Sequence, residues 1–138
     1  MNLRFNEENK VILGAAGATA GTSDVNGAWI EPQGAGIAAV ATITTANAAN
    51  FIKWQHADAT NQSDAADVFS SKVVSSSNGA GIGICAHNLT KRYYRAVIVR
   101  GASTATGDLF YLVHDVNSKP ATGGITFTAV SNPVNGTA

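Results

Sequence analysis

Only one cysteine and 13% charged residues occur in this 138-residue chain, and each shortage closes off a class of protein. A single Cys85 forms no intramolecular disulfide, so no cystine framework holds the fold. Its setting, Gly81-Ile82-Gly83-Ile84-Cys85-Ala86, contains nothing that would activate a thiolate and reads as a small buried hydrophobe. An average soluble domain is about 25% charged. A surface this poor in Lys and Glu is either covered by other protein chains or built from the abundant Ser, Thr and Asn. Lys plus Arg and Asp plus Glu number 9 each, so there is no overall basic field to neutralise phosphates, and no nucleic-acid partner is expected. No apolar run approaches the ~20 residues of a membrane-spanning helix. Met1-Asn2-Leu3-Arg4-Phe5-Asn6-Glu7-Glu8 lacks the pattern of a signal peptide, and membrane insertion is not expected.

Strand patterns fill most of the rest. Residues 9–13 are short and apolar, and 28–31 lie between Asn26-Gly27 and Pro32. In 36–45, Ile37, Ala39, Ala41 and Ile43 alternate with Ala38, Val40, Thr42 and Thr44; in 50–56, Ile52, Trp54 and His56 alternate with Phe51, Lys53 and Gln55. Further strands are expected over 70–75, 81–86, 91–101, 108–116 and 124–130, separated by Gly, Asn, Ser and Pro. Eight or nine short strands in one domain spanning 1–138 predict an all-β antiparallel sandwich or barrel, for which a jelly roll has the right strand number. Such a chain buries roughly 70% of its unfolded surface, enough to fold without a metal. The alanine-rich stretch 38–49 carries the β-branched run Thr42-Ile43-Thr44-Thr45, better suited to a strand than a helix. Residues 64–69 suit one short helical turn. The stretches 1–8, 14–26 and 131–138 lack a periodic pattern and read as arms or loops that order against neighbours.

Lys91-Arg92-Tyr93-Tyr94-Arg95-Ala96-Val97-Ile98-Val99-Arg100-Gly101 is the most informative strand. Side chains alternate between its faces. Arg92, Tyr94, Ala96, Ile98 and Arg100 form a core-like face with charges at the ends. Lys91, Tyr93, Arg95, Val97 and Val99 form a second face, too apolar for idle exposure and too charged for a core. That pairing suits binding to something large and flat.

Chemistry is sparse. Val11-Ile12-Leu13-Gly14-Ala15-Ala16-Gly17 imitates the phosphate turn of a dinucleotide fold, but the turn sequence Thr22-Ser23-Asp24-Val25-Asn26-Gly27 follows where a helix is required. Residues 58–67 space acids and amides without the alternation or the glycine of a calcium loop, and side chains capping their own turns account for them. His56, His87 and His114 have no short metal-binding spacing, and His56 and His114 continue apolar strand faces. No nucleophile elbow or distinctive carboxylate pair occurs, so no enzyme, catalytic residue, metal or cofactor is expected. Three glycosylation-type sequons fit chance in an Asn/Ser/Thr-rich chain. Aromatics could instead stack on sugars; Trp29 and Trp54 lie in strands and read as core, leaving Tyr93 as the exposed candidate.

Two segments together carry a resemblance. Phe51-Ile52-Lys53-Trp54-Gln55-His56-Ala57-Asp58 precedes an Asx-rich turn ending in Ala66-Asp67-Val68, and Leu89-Thr90-Lys91-Arg92-Tyr93-Tyr94-Arg95-Ala96-Val97-Ile98 follows later. The pair resembles small β-sandwich virion proteins of tailed bacteriophages, in which a strand ending in Gln-His/Trp-Ser-Asp leads into an Asp-rich turn and a later strand reads Tyr-Tyr/Val-Arg-Val. Asp58-Ala59-Thr60-Asn61 replaces the Asp-Gly usual after the first strand. The resemblance covers under half of the chain and brings no catalytic residues. It implies a jelly-roll-like sandwich that decorates a capsid, made in the host bacterial cytoplasm and residing on the virion. The implied partner is the major capsid protein; a twofold-related homodimer is expected as the bound unit because twofold contacts are the commonest closed symmetry. On this reading Tyr93, Arg95, Val97, Val99, Phe51, Lys53 and Gln55 face another chain. A carbohydrate- or receptor-binding β-sandwich module, tail-associated or secreted, is the alternative.

Overall fold

The computed structural model describes residues 9–32, 36–114 and 125–138, and among them every regular element is a strand. In chain order these are β1 (Asn9–Ala15), β2 (Ala18–Gly21), β3 (Val25–Asn26), β4 (Gly36–Thr42), β5 (Asn47–Ala57), β6 (Ala66–Asp67), β7 (Val73–Ser75), β8 (Gly81–His87), β9 (Tyr93–Arg100), β10 (Thr104–Thr106), β11 (Leu109–His114) and β12 (Ile125–Ser131). The expected 28–31 strand reduces to one bridge, Ile30 to Tyr94. The expected helical turn at 64–69 is instead a turn entering β6. The arm expected at 1–8 lies outside the described residues, as do the outer ends of the strands expected at 108–116 and 124–130.

Pairing follows a nested order. β1 pairs with β11, β2 with β10, β3 with β9, β4 with β8 and β5 with β7, all antiparallel. The chain therefore runs out and returns beside itself like one long hairpin. Two further ladders, β11 with β4 and β5 with β9, roll this doubled ribbon into the two sheets of a β-sandwich. One sheet has the order β1-β11-β4-β8-β12; the other has β3-β9-β5-β6, with β7 also on β5. β12 departs from the expected antiparallel scheme, running parallel to β8 at the sheet edge.

Alternation fills the space between the sheets. Ile37, Ala39, Ala41 and Ile43 face Ile52, Trp54, Tyr94, Ala96 and Ile98, with Ile82, Ile84, Leu109 and Tyr111 completing the cluster. Each fully buried large aliphatic side chain contributes about 1.5–3 kcal/mol. The Trp54 and Tyr111 rings stack across the sandwich, centroids 6.0 Å apart at 25°. Tyr111 also stitches the sheets by hydrogen bonds. Its hydroxyl accepts from Ala96 N–H at 3.0 Å and donates to the Ala28 carbonyl at 2.9 Å. Burial pushes its pKa up to about 12, so the donor is retained at any ordinary pH.

Two stretches expected to be arms are tied down. Within 14–26 lie β2 and β3, and the anchor is distant in sequence. Arg100, 6% exposed, donates from Nε to the Ser23 carbonyl at 2.5 Å and from a terminal nitrogen to the Thr19 and Thr104 carbonyls at 2.7 and 3.0 Å. A buried cation requires such partners, and the small side chains of β2 allow its close approach.

The end of the chain is a strap. Past β12, Asn132 N–H donates to His87, then Phe69 and Ser70 N–H groups donate to the Val134 and Thr137 carbonyls, and Gly136 N–H to Asp67. The strap thus links the β8–β12 edge of one sheet to the β6–β7 connection at the edge of the other. His56, fully buried, bonds Asn135 Oδ1 at 2.6 Å through Nε2; an amide oxygen only accepts, so Nε2 carries the proton. Burial lowers the His56 pKa below 6.5, against the raising effect of the Asn135 bond. The unfolded chain then binds more protons below about pH 6.5, so stability present above that pH is lost as pH falls through the folded value. Thermal melts at pH 7 and pH 5 are expected to show a lower Tm at pH 5, with most of the difference gone in His56→Gln. An undiminished difference in that variant would assign it to other groups.

Candidate interaction face

β5 and β9 are the two longest strands, and their register sets the outer face of the second sheet. Phe51 lies opposite Val99, Lys53 opposite Val97, Gln55 opposite Arg95 and Ala57 opposite Tyr93. All seven side chains expected to meet another chain therefore share one surface. Six are half-buried, and Val97 is only 2% exposed. Val97 thus underlies the face and contributes little contact area itself.

A polar ladder crosses this surface. The Arg95 guanidinium stacks on Trp29 at 4.7 Å and donates from Nε to Gln55 Oε1 at 2.9 Å. Gln55 Nε2 donates to Asp67 Oδ1 at 2.8 Å, and Lys53 Nζ pairs with Asp67 Oδ2 at 2.6 Å. Lys72 sits over the Phe51 ring at 4.1 Å, beside Val74, which is paired with Phe51. Arg92 lies 5.2 Å from the Tyr93 ring centroid and pairs with Glu31 at 2.7 Å. Polar groups holding one another across the sheet keep rigid, preorganised side chains on a face otherwise made of Phe, Val, Tyr and Trp. Preorganisation lowers the entropy lost on docking.

Trp29, Asp67, Lys72 and Val74 belong to this face and were not expected there. Trp29 reads as core in the sequence, but the pairing gains a residue between Asn26, opposite Val97, and Ile30, opposite Tyr94. That bulge turns the indole outward. Asp67 enters through the two-residue β6, whose partners Gln55 and His56 lie ten or more residues back.

The acidic loop at the end of the face caps itself. Asp64 accepts from Asp58 and Ala59 N–H at 2.9 and 3.0 Å, while Asp58 accepts from Lys91 Nζ at 2.8 Å and Arg92 N–H at 3.1 Å. The Lys91 bond holds the Asp58 carboxyl below its ordinary range, and the two backbone bonds do the same for Asp64. Among the described residues no three His, Cys, Asp or Glu side chains gather where they could hold a metal ion. Comparison with family models, curated proteins and solved structures finds no match.

Proposed function

We propose that this chain is a protein-binding β-sandwich that engages its partner through the outer face of β9 and β5. The observation carrying this reading is the composition of that face. Trp29, Tyr93, Arg95 and Arg92 cluster at one end, residue types enriched at binding hot spots, beside a Phe51–Val74–Val99 apolar end. Flat area with internally satisfied charges suits a broad protein surface better than a small ligand. The Trp29 ring is covered by Arg95 on one side, which reduces its use as a sugar platform.

More particularly, we infer a decoration, or cement, protein of a tailed-phage capsid, bound to the outside of the shell. The nested pairing supports the jelly-roll form of the sandwich, because a long hairpin rolled in this way yields two Greek keys. The two segments resembling phage virion proteins are the β5 and β9 strands that build the face. A cement protein stabilises a shell by burying area across neighbouring subunits, and repeated copies on a lattice add avidity.

Purified protein is expected to bind preformed expanded shells at fixed stoichiometry and raise their melting temperature. Arg95→Glu, which reverses charge at the centre of the ladder, is expected to weaken that binding by about 10-fold or more while changing the protein's own stability by less than about 1 kcal/mol. Absence of wild-type binding to any shell would sink the cement reading and favour the tail or receptor-binding one. Loss of folding in Arg95→Glu would show that the ladder is a structural device.

A further inference from the structure

The strap past β12 continues the second sheet. Asn135 bridges Val68 antiparallel, Gly136 N–H donates to the Asp67 carbonyl at 3.1 Å, and Phe69 N–H donates to the Val134 carbonyl at 2.9 Å. The strap is thus a short outer strand on β6, whose two residues lie between it and β5. Side chains alternate across this added strand as across any other. Val68 is fully buried, and Asn135 turns the same way to reach His56. Asp67, Phe69 and Val134 turn outward, where Phe69 is 54% and Val134 57% exposed. The face built on β5 and β9 therefore runs on over the strap. Its polar ladder ends on Asp67, whose carboxylate holds Gln55 and Lys53 and whose carbonyl holds Gly136.

The root of the strap is firm. Asn132 donates to the His87 carbonyl, and the carbonyl of the buried Pro133 accepts from Thr90 Oγ1. Beyond the root, among the described residues, three main-chain bonds (from Phe69, Ser70 and Gly136) and the Asn135–His56 bond hold 134–138. Ordering five residues costs entropy comparable to what four such bonds contribute, so a small bias moves the balance.

His56 supplies that bias. It is fully buried, the Tyr94 ring stands edge-on at 5.6 Å, and Nδ1 has no hydrogen-bond partner among the described residues. A proton on Nδ1 creates there a charge and an N–H without an acceptor. Burial above all, and then Lys91, oppose the imidazolium; the Asn135 bond and the Asp58 and Asp64 carboxylates favour it, and residues 132–137 bring no titratable side chain. Nε2 bonds Asn135, itself exposed, so lifting the strap opens the ring to water.

We propose that the strap is an acid-released clamp on the binding face: closed, it pins β6 and with it Asp67, and protonation of His56 frees 134–138 and slackens the ladder. Its effect on binding rests on the β5–β9 face being the binding surface; the release itself does not.

The test is hydrogen exchange and NMR of the full chain at pH 7 and pH 5, each exchange rate referred to its intrinsic value. At pH 5 the Phe69, Ser70 and Gly136 amides are expected to lose protection by ~10-fold or more while those of β5 and β9 keep theirs. The Gln55 side-chain amide signals, set by Asp67 at pH 7, are expected to move toward those of a free amide. Asn135→Asp sets a carboxylate against the imidazolium and should hold the strap closed at pH 5. Binding to expanded shells is expected to weaken by ~10-fold or more from pH 7 to pH 5 in wild type and to persist in Asn135→Asp. Should that variant not fold, His56→Gln, which cannot titrate, is expected to erase the pH difference. Strap amides unmoved at pH 5, exchange that quickens equally across β5 and β9, or Gln55 signals that stay fixed while the strap opens would each overturn the proposal. So would an Asn135→Asp variant that opens like wild type, or shell binding indifferent to an open strap. A wild type that binds no shell at either pH would defeat the binding role of the face, while exchange and the Gln55 signals would still decide the clamp.

Discussion

Trp54→Ala is expected to lower the unfolding free energy by about 3–5 kcal/mol, the largest loss of any single truncation in the core. Trp54 is fully buried at the middle of β5, between Ile52 and His56 on the inner face, and its ring stacks on Tyr111 of the opposite sheet. Removing it takes away transfer energy and leaves a void at the point where both sheets meet. Close-packed neighbours such as Tyr94 and Ile98 sit on ladders that restrict their collapse into that void. Urea denaturation should show the midpoint falling with little change in slope, as expected when stability changes and the surface exposed on unfolding does not. Trp54→Phe supplies the control. The indole N–H has no acceptor among the described residues, so phenylalanine removes an unsatisfied donor while keeping an aromatic ring against Tyr111. Its loss should be well under half that of alanine. Equal losses for the two variants would show that the indole's shape, rather than its apolar bulk, is what the core requires.

Arg100→Met is the second large effect, expected at about 2–4 kcal/mol. The guanidinium reaches three carbonyls on β2, on the turn before β3 and on β10, while Asp24 accepts from the Arg100 main-chain N–H at 3.3 Å. Methionine fills most of the volume and abandons all three acceptors. Arg100→Lys should recover only part, because an ammonium cannot span acceptors placed for a planar fork. The loss should be local as well as global. In hydrogen exchange, amides of β2 should lose protection before those of β5 and β9, since Arg100 ties β2 to the sandwich, whereas β10 is also held by the Thr44 and Thr104 side chains. Uniform loss of protection, or a variant as stable as wild type, would show that the ribbon holds without the cation.

How far these features could be read in the chain follows from how far apart their causes lie. The faces of β5 and β9 were legible because alternation is set residue by residue. Tyr94, Ala96 and Ile98 are inside and Tyr93, Arg95 and Val99 are outside, as spacing alone dictates. Trp29 was misplaced because one extra residue opposite β9 reverses the alternation, and nothing in Ala28-Trp29-Ile30 marks that insertion. The stretch 14–26 looked like an arm because its glycines, alanines and threonines carry no periodic signal. Its order is imposed by Arg100, some eighty residues onward. The strap at 132–138 was hidden for the same reason, since Asn135 meets His56 across 79 residues.

An all-β sandwich, a core centred on Trp54 and one amphipathic strand face were therefore decided locally, by β-branched and aromatic residues at every second position between turn-forming ones. The nested order of strands and the ladder from Trp29 through Arg95 and Gln55 to Asp67 were decided only in three dimensions. Each depends on which strand lies beside which. That choice is made by the burial of whole faces together, and no single segment of the chain contains it.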